Sequence, residues 1–168
     1  MTFKQSVSWW CFDRDGIDDI ELISTIKDIG YSGVELMPVN KFHLAHDYGL
    51  EIVTHGLHTP LEQGVSHPEY QDDIKRQAEQ TLELANQWNI PNLIVFSGNR
   101  DGLDDKPGAE NAIKQLEVLA KDAESAGVML ILELLNSKVD HPDYQCDKTA
   151  WGVEVVSAVN SPNLRLLY

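Results

Sequence analysis

Six short apolar segments alternate with helical patterns along this chain, and that alternation constrains the fold most strongly. The predicted strands cover residues 6–11, 33–37, 51–58, 92–97, 127–136 and 163–168. A strand–helix–strand alternation requires a parallel sheet with right-handed crossovers. Two α/β architectures fit this pattern: an open doubly wound sheet, and a (β/α)8 TIM barrel of which about six βα units are present. Residues 1–168 contain no linker or low-complexity segment, so we expect a single domain.

One carboxylate interrupts the most apolar of these segments. Glu133 lies near the end of the fifth predicted strand, and side-chain alternation places it on one face with Met129 and Ile131. A charge at such a place costs several kcal/mol unless it is paired, hydrogen-bonded or bound to a metal. The carboxyl ends of parallel strands are also where active sites form. Glu133 is therefore the leading candidate for a metal ligand, a general base or both, and pairing with a cationic side chain is the structural alternative.

Other polar or aromatic residues fall at the same predicted strand ends. Trp10, His55, His58 and Asn136 are candidates for substrate binding. Each has a structural alternative, which is core packing for Trp10, a backbone hydrogen bond for either histidine and a loop cap for Asn136. Glu35, inside the second predicted strand, is either a second polar group of the site or, as we favour, a structural acceptor.

Composition excludes several classes of function. The net charge of −14 disfavours nucleic acid and anionic membranes as partners, and no apolar run is long enough to span a membrane. No phosphate-binding loop or Gly-x-Gly-x-x-Gly fingerprint is present, which argues against a dinucleotide enzyme. Cys11 and Cys146 form no disulfide framework, and the first residues do not read as a signal peptide, so we expect a cytoplasmic protein.

Three segments resemble a known family. Residues 130–136, Leu-Ile-Leu-Glu-Leu-Leu-Asn, are similar to the Leu-x-x-Glu-x-x-Asn segment of the xylose-isomerase-like TIM barrels, the sugar phosphate isomerase/epimerase proteins. Residues 30–36, Gly-Tyr-Ser-Gly-Val-Glu-Leu, resemble the second strand of that family. Residues 161–168 resemble the segment before its metal-binding Asp. Residues 140–144 look closer to the hydroxypyruvate isomerases, and Val139 replaces a Glu typical of the ketose 3-epimerases.

The resemblance implies an activity and a cofactor. It implies a metal-dependent isomerase for a small sugar or hydroxyacid, in which Glu133 binds Mn²⁺ or Mg²⁺ and moves a proton through an enediolate. Only this first metal ligand of the family is present, and the resemblance places the second, an Asp, directly after Tyr168. We therefore expect metal binding by this chain to be weak or absent, and the chain alone to be inactive.

Several alternatives remain open. A ketose 3-epimerase of the same family is one, and an inactive binding or scaffold domain is another. A metal-dependent DNA-repair endonuclease of the superfamily is disfavoured by the charge of −14. Because an incomplete barrel exposes its first and sixth strands, we also expect a homo-oligomer.

Overall fold

A computed structural model describes residues 3–168 and contains one parallel sheet flanked by helices. The strands are β1 (Ser6–Ser8), β2 (Gly33–Glu35), β3 (Glu51–Gly56), β4 (Asn92–Val95), β5 (Met129–Glu133) and β6 (Leu164–Leu167). The helices are α1 (Asp19–Ile29), α2 (Phe42–Asp47), α3 (Gln71–Trp88), α4 (Asp105–Ala126) and α5 (Thr149–Val159). Short 3-10 turns over Trp9–Cys11, Val39–Lys41 and Pro68–Tyr70 complete the pattern. The predicted alternation of six strands with helices is confirmed.

The order of the strands decides between the two predicted architectures. All five strand pairs are parallel, and the sheet runs β1-β2-β3-β4-β5-β6 in chain order. A doubly wound sheet would reverse its order at a switch point, whereas a barrel adds each strand beside the previous one. The fold is therefore a partial TIM barrel of six strands.

Burial along β5 distinguishes the two faces of the sheet. Leu130 and Leu132 are fully buried in the core that the helices form with the sheet, whereas Met129, Ile131 and Glu133 are partly exposed. We call the side of Leu130 and Leu132 the outer face and the side of Met129, Ile131 and Glu133 the inner face. The outer face carries the hydrophobic core, so the inner face is left for polar groups.

The helices follow their sequence signals. Asp18 caps α1 by accepting hydrogen bonds from the N–H groups of Ile20 and Glu21 at 2.9 and 3.1 Å. The predicted apolar stripe of α3 is buried, and it consists of Ile74, Ala78, Leu82 and Ala85. Gly127 ends α4 with a left-handed backbone (φ 71°).

All six predicted strands are longer than the observed ones, and the first and the fifth show the physical reason. Residues 9–11 form a 3-10 turn instead of extending β1, so the aromatic pair belongs to a loop. The fifth strand ends at Glu133, and Asn136 lies in the loop that follows. In both cases the chain leaves the ladder at the carboxyl edge of the sheet, where the polar loop residues begin.

The loops at the two ends of the barrel differ in length. The connections after β3, β4 and β5, at the carboxyl ends of the strands, cover residues 57–67, 96–104 and 134–148, whereas the opposite turns are short. The loop after β3 packs directly on the end of β4. The Val65 N–H donates to the Phe96 carbonyl at 3.1 Å, and the Ser66 N–H donates to the Ser97 carbonyl at 3.0 Å. These bonds hold the loops of β3 and β4 together as one surface.

The outermost strands, β1 and β6, each pair with one neighbour within residues 3–168. Expected association through these edges stays a prediction. None of the helices in this part of the chain combines the length and apolar character needed to cross a lipid bilayer.

Gly64 is predicted to be intolerant of any side chain. A Cβ atom at Gly64 would overlap backbone atoms of Ser97 and Gly98, which cannot move without breaking the loop contacts. We expect Gly64→Ala to lower the free energy of unfolding by more than about 3 kcal/mol, measured by urea denaturation. Gly56→Ala is the control, because its Cβ would meet nothing closer than 3.7 Å, and equal losses for both variants would contradict this account.

Candidate functional site

Glu133 ends β5 on the inner face of the sheet, at the carboxyl edge. Its side chain is half-buried, and within residues 3–168 no group hydrogen-bonds or ion-pairs with its carboxylate. Burial raises the pKa of Glu133, and the negative charge of Glu35 raises it further. The arrangement is therefore an unpaired carboxylate that retains a proton more readily than usual and can accept one from a bound molecule.

Glu35 ends β2 and lies on the same face as Glu133. The pairing of β2 with β3 shifts between Val34 and Glu35, where Val53 is skipped. Beyond that irregularity Glu35 pairs with Thr54, Thr54 with Asn92 and Asn92 with Met129, and paired positions of adjacent strands point to the same side. The Ser6 hydroxyl donates a hydrogen bond to the Glu35 carboxylate. Two carboxylates thus share the inner face, and Glu35 is the one that has a partner.

Tyr144, in the loop after β5, connects the ends of β4 and β5 through its hydroxyl. Its fully buried hydroxyl accepts a hydrogen bond from the Ser97 N–H at 3.0 Å and donates one to the Glu133 carbonyl at 3.1 Å. This link ties the end of β4 to the end of β5 and limits the movement of the Glu133 backbone. In the sequence, Tyr144 contributes only to the resemblance of residues 140–144 to the hydroxypyruvate isomerases. No local pattern indicates that it bridges two strands.

Arg100 fastens the remaining loops of this edge. Its guanidinium pairs with Asp105 at the start of α4 and with Asp147 at 2.9 Å, and donates to the Gln145 carbonyl at 3.2 Å. Lys148 also pairs with Asp105 at 3.2 Å. The sequence does not indicate this network. Except for the Arg100–Asp105 pair, each of its contacts joins residues more than 40 positions apart.

His55 lies on the outer face. Its position pairs with Leu93 and through it with Leu130, both fully buried in the helix-covered core. The imidazole ring meets the ring of Phe42 edge-on at 5.4 Å. Burial lowers the pKa of His55, and its Nδ1 has no partner among the described residues. The register thus separates His55 from the inner face that carries Glu133.

His58 is held by the backbone of the neighbouring loop. Its Nε2 accepts a hydrogen bond from the Phe96 N–H at 3.1 Å, which leaves the ring proton on Nδ1. The ring is 4% exposed and meets the Phe96 ring edge-on at 5.6 Å. Burial lowers the pKa of His58 to about 4, so the ring is neutral at pH 7. This matches the structural alternative weighed for the residue from the sequence.

Trp10 and Asn136 lie in loops at the same edge of the sheet. Trp10 is 64% exposed, whereas its neighbour Trp9 is fully buried and donates from its indole N–H to Asp13 at 2.9 Å. The Asn136 side chain accepts from the Lys138 N–H at 3.0 Å and donates to the Asp140 carboxylate at 3.3 Å. Asn136 therefore caps its own loop, and Trp10 is the more available of the two for a bound molecule.

Metal ligation rests on the two inner carboxylates. Within residues 3–168, no three His, Cys, Asp or Glu side chains converge to hold a metal ion. Glu133 and Glu35 supply oxygen atoms, which Mg²⁺ and Mn²⁺ prefer. Burial, and after it the charge of Glu35, raises the pKa of Glu133, and two carboxylates are fewer ligands than either ion needs, so these residues supply only part of a metal site.

Comparison with known proteins points to one fold. The profile of the family described as xylose isomerase-like TIM barrel matches residues 23–168. A search of curated proteins found no significant match.

Three solved structures are similar across almost the whole chain. An AP endonuclease, family 2, from Brucella melitensis has a TM-score of 0.82 at 19% identity, covering 98% of this chain and 67% of its own. A D-psicose 3-epimerase from Clostridium cellulolyticum H10 has a TM-score of 0.70 at 20% identity, and the match covers 98% of this chain and 62% of the epimerase. A probable 3-DHS dehydratase from Bacillus anthracis has a TM-score of 0.72 at 17% identity, and the match covers 98% of this chain and 62% of the dehydratase. This chain thus spans about two thirds of their lengths, and identities this low show the fold alone.

The buried histidine makes stability depend on pH. An unfolded chain takes up a proton at His58 near pH 6.5, while the folded chain resists protonation until about pH 4. The free energy of unfolding should therefore fall as the pH drops between these values, by up to about 3 kcal/mol from this residue. His58→Gln retains an acceptor for the Phe96 N–H and should flatten that dependence in urea titrations. The exposed His43→Gln should leave it unchanged, and an equal effect of both substitutions would argue against burial as the cause.

The unpaired carboxylate should cost stability at neutral pH. The pKa of Glu133 is raised in the folded chain, so ionisation of its carboxyl group lowers the free energy of unfolding. This loss is complete above the pH range in which the carboxyl group titrates, and it is absent below that range. Glu133→Gln should thus raise Tm at pH 7 to 8, and the gain should vanish as the pH falls below about 4. Exposed Glu117→Gln is the matched control. A lower Tm for Glu133→Gln at pH 7 would show that the carboxylate has a stabilising partner.

Proposed function

This chain belongs to the xylose isomerase-like TIM barrel family, and from that membership we propose that it carries the proton-transfer residue of a metal-dependent isomerase for a small sugar or hydroxyacid. The observation that carries the proposal is Glu133, a half-buried and unpaired carboxylate at the carboxyl end of a barrel strand. Hydroxypyruvate is the leading substrate, because residues 140–144 resemble that branch of the family.

The chemistry needs a base beside a carbonyl. Moving a carbonyl between adjacent carbons requires removal of a proton from the neighbouring C–H group, which is weakly acidic. Glu133 accepts that proton, and its raised pKa makes it a stronger base than an exposed carboxylate while it is ionised. Proton abstraction converts the substrate to an enediolate. A divalent cation held by Glu133 would supply positive charge that favours this developing oxyanion.

Other residues of the edge position this base. Tyr144 holds the Glu133 backbone through its carbonyl, and Arg100 fastens the loops over the end of the sheet. Trp10, exposed in the 3-10 turn directly after β1, offers an apolar surface against which a sugar-sized molecule can pack. His58 and Asn136 lie at the same edge as further candidates for substrate contact, with the Nε2 of His58 and the amide of Asn136 already hydrogen-bonded. His55 is set aside, because it faces the helices and not the inner face.

A ketose 3-epimerase is the second candidate. One of the similar structures is a D-psicose 3-epimerase, and inversion of a hydroxyl beside a carbonyl begins with the same proton abstraction. DNA as a substrate is disfavoured despite the structure named AP endonuclease, because a net charge of −14 opposes binding of a phosphate backbone.

Proton exchange tests the proposal without requiring net turnover. The purified chain is incubated in D₂O with Mn²⁺ and either hydroxypyruvate or D-fructose, and loss of the C3 proton signal is followed by NMR. Because metal binding by this chain is expected to be weak, we expect no net isomerisation but slow exchange at high Mn²⁺ with one of the two substrates, slowed further by a factor of about 10² in Glu133→Gln. Glu117→Gln controls for the loss of a carboxylate elsewhere. Equal exchange rates for the parent chain and Glu133→Gln would contradict the proposal, and the preferred substrate separates isomerase from epimerase.

A further inference from the structure

A cavity of about 220 Å³ lies between α3 and α4. Asp72 and Lys75 line it from the first turns of α3, and Lys114, Gln115 and Val118 line it from the middle of α4. The two helices pack on the outer face of the sheet, whereas the candidate active site lies on the inner face. The cavity is therefore separate from the site described above.

Gln115 is a buried polar residue in the wall of this cavity. It is 6% exposed, and neither Nε2 nor Oε1 of its amide has a hydrogen-bond partner among residues 3–168. Buried side-chain amides are normally hydrogen-bonded, because the lost bonds to water are otherwise uncompensated. Both atoms are covered by the surrounding protein, and since they form no hydrogen bond, rotation about the last side-chain torsions turns the amide toward the cavity without breaking one. The amide thus offers a donor and an acceptor to a molecule bound there.

Two lysines give the rim of the cavity a positive charge. Lys75 and Lys114 are exposed, and neither ammonium group forms an ion pair within residues 3–168. Asp72 is the one acidic side chain of the lining, and it offsets one of the two positive charges. The chain as a whole carries a net charge of −14, so a positive rim is a local exception that attracts an anion.

The size and the walls of the cavity restrict the ligand further. The volume is several times the roughly 30 Å³ of one water molecule and below the about 300–1,000 Å³ of sites for drug-sized molecules. Val118 and Leu119 add apolar wall against which carbon atoms can pack. A hydroxyl satisfies both atoms of a side-chain amide, because it donates to Oε1 and accepts from Nε2. The features together describe a small anion that also carries a hydroxyl.

We propose that the cavity between α3 and α4 binds a short hydroxycarboxylate of about the size of lactate. Its carboxylate faces the ammonium groups of Lys75 and Lys114, and its hydroxyl pairs with the Gln115 amide. The site uses neither Glu133 nor a metal ion, so it goes beyond the proposed function and does not depend on it.

The test is a titration of the purified 168-residue chain, labelled with ¹⁵N, with three matched probes in the presence of a metal chelator. Lactate carries both groups, propionate lacks the hydroxyl, and 1,2-propanediol lacks the charge. We expect lactate to shift amide signals of residues in α3 and α4 around the cavity, with a Kd on the order of 1 mM for so small a ligand. Propionate and 1,2-propanediol should each bind at least about tenfold more weakly.

Substitutions assign each contact. Gln115→Leu has a similar volume and removes both polar atoms, so it should weaken lactate binding about tenfold and leave propionate binding unchanged. Lys75→Gln and Lys114→Gln should each weaken lactate binding by about threefold to fivefold, and less at high salt. Lys121→Gln, an exposed lysine of α4 outside this cavity, is the control for net charge. Far-UV circular dichroism verifies that each variant is folded.

Three results would overturn the inference. The first is equal affinity of the parent chain for lactate and propionate, or no binding of lactate, which needs no variant to fold. The second is a lactate preference that persists in Gln115→Leu. The third is a set of shifts confined to the strand ends and lost in Glu133→Gln, because lactate would then occupy the candidate active site, and the proposed function would survive. Lactate binding at α3 and α4 that persists in Glu133→Gln supports the inference whether or not proton exchange is observed.

Discussion

Hydrogen bonding between parallel strands places the polar groups of this protein. Paired positions on neighbouring strands point to the same side, so the register from Glu35 through Thr54 and Asn92 to Met129 puts residues distant in sequence on one inner face. The same register sends His55 to the other side with Leu93. A shift of one residue in the pairing of β5 with β4 would exchange the two faces of β5 and move Glu133 into the apolar core.

The inner face carries a charge that lowers the stability of the fold. Glu133 is partly removed from water and near another negative charge, and no partner among the described residues offsets that cost. A chain selected only for stability would place an apolar side chain at this position. The outer face, where Leu130, Leu132 and their neighbours pack against helices, supplies the stability that allows such a strand end to persist.

The loops at the carboxyl edge owe their shape to contacts between distant residues. Gly64 packs against the backbone of Ser97 and Gly98, so closely that only glycine fits. Tyr144 connects the ends of β4 and β5 through its hydroxyl, and Arg100 joins its loop to α4 and to Asp147. These contacts join the three polar loops after β3, β4 and β5 and restrict their movement around the end of β5. Rigidity of this kind is what positions a catalytic side chain.

The sequence by itself determined the alternation of strands and helices, the parallel sheet and the placement of Glu133, since these follow from local periodicity and from side-chain alternation within one strand. It also indicated the family, through residues 30–36 and 130–136. Only the tertiary structure decided that His55 faces the helices, that the Nε2 of His58 binds the backbone of Phe96, and that the Tyr144 hydroxyl binds the Glu133 carbonyl. Those outcomes depend on register between strands and on contacts across dozens of residues. Local patterns do not contain that information, because the partner of each group is set by how distant strands and loops pack together.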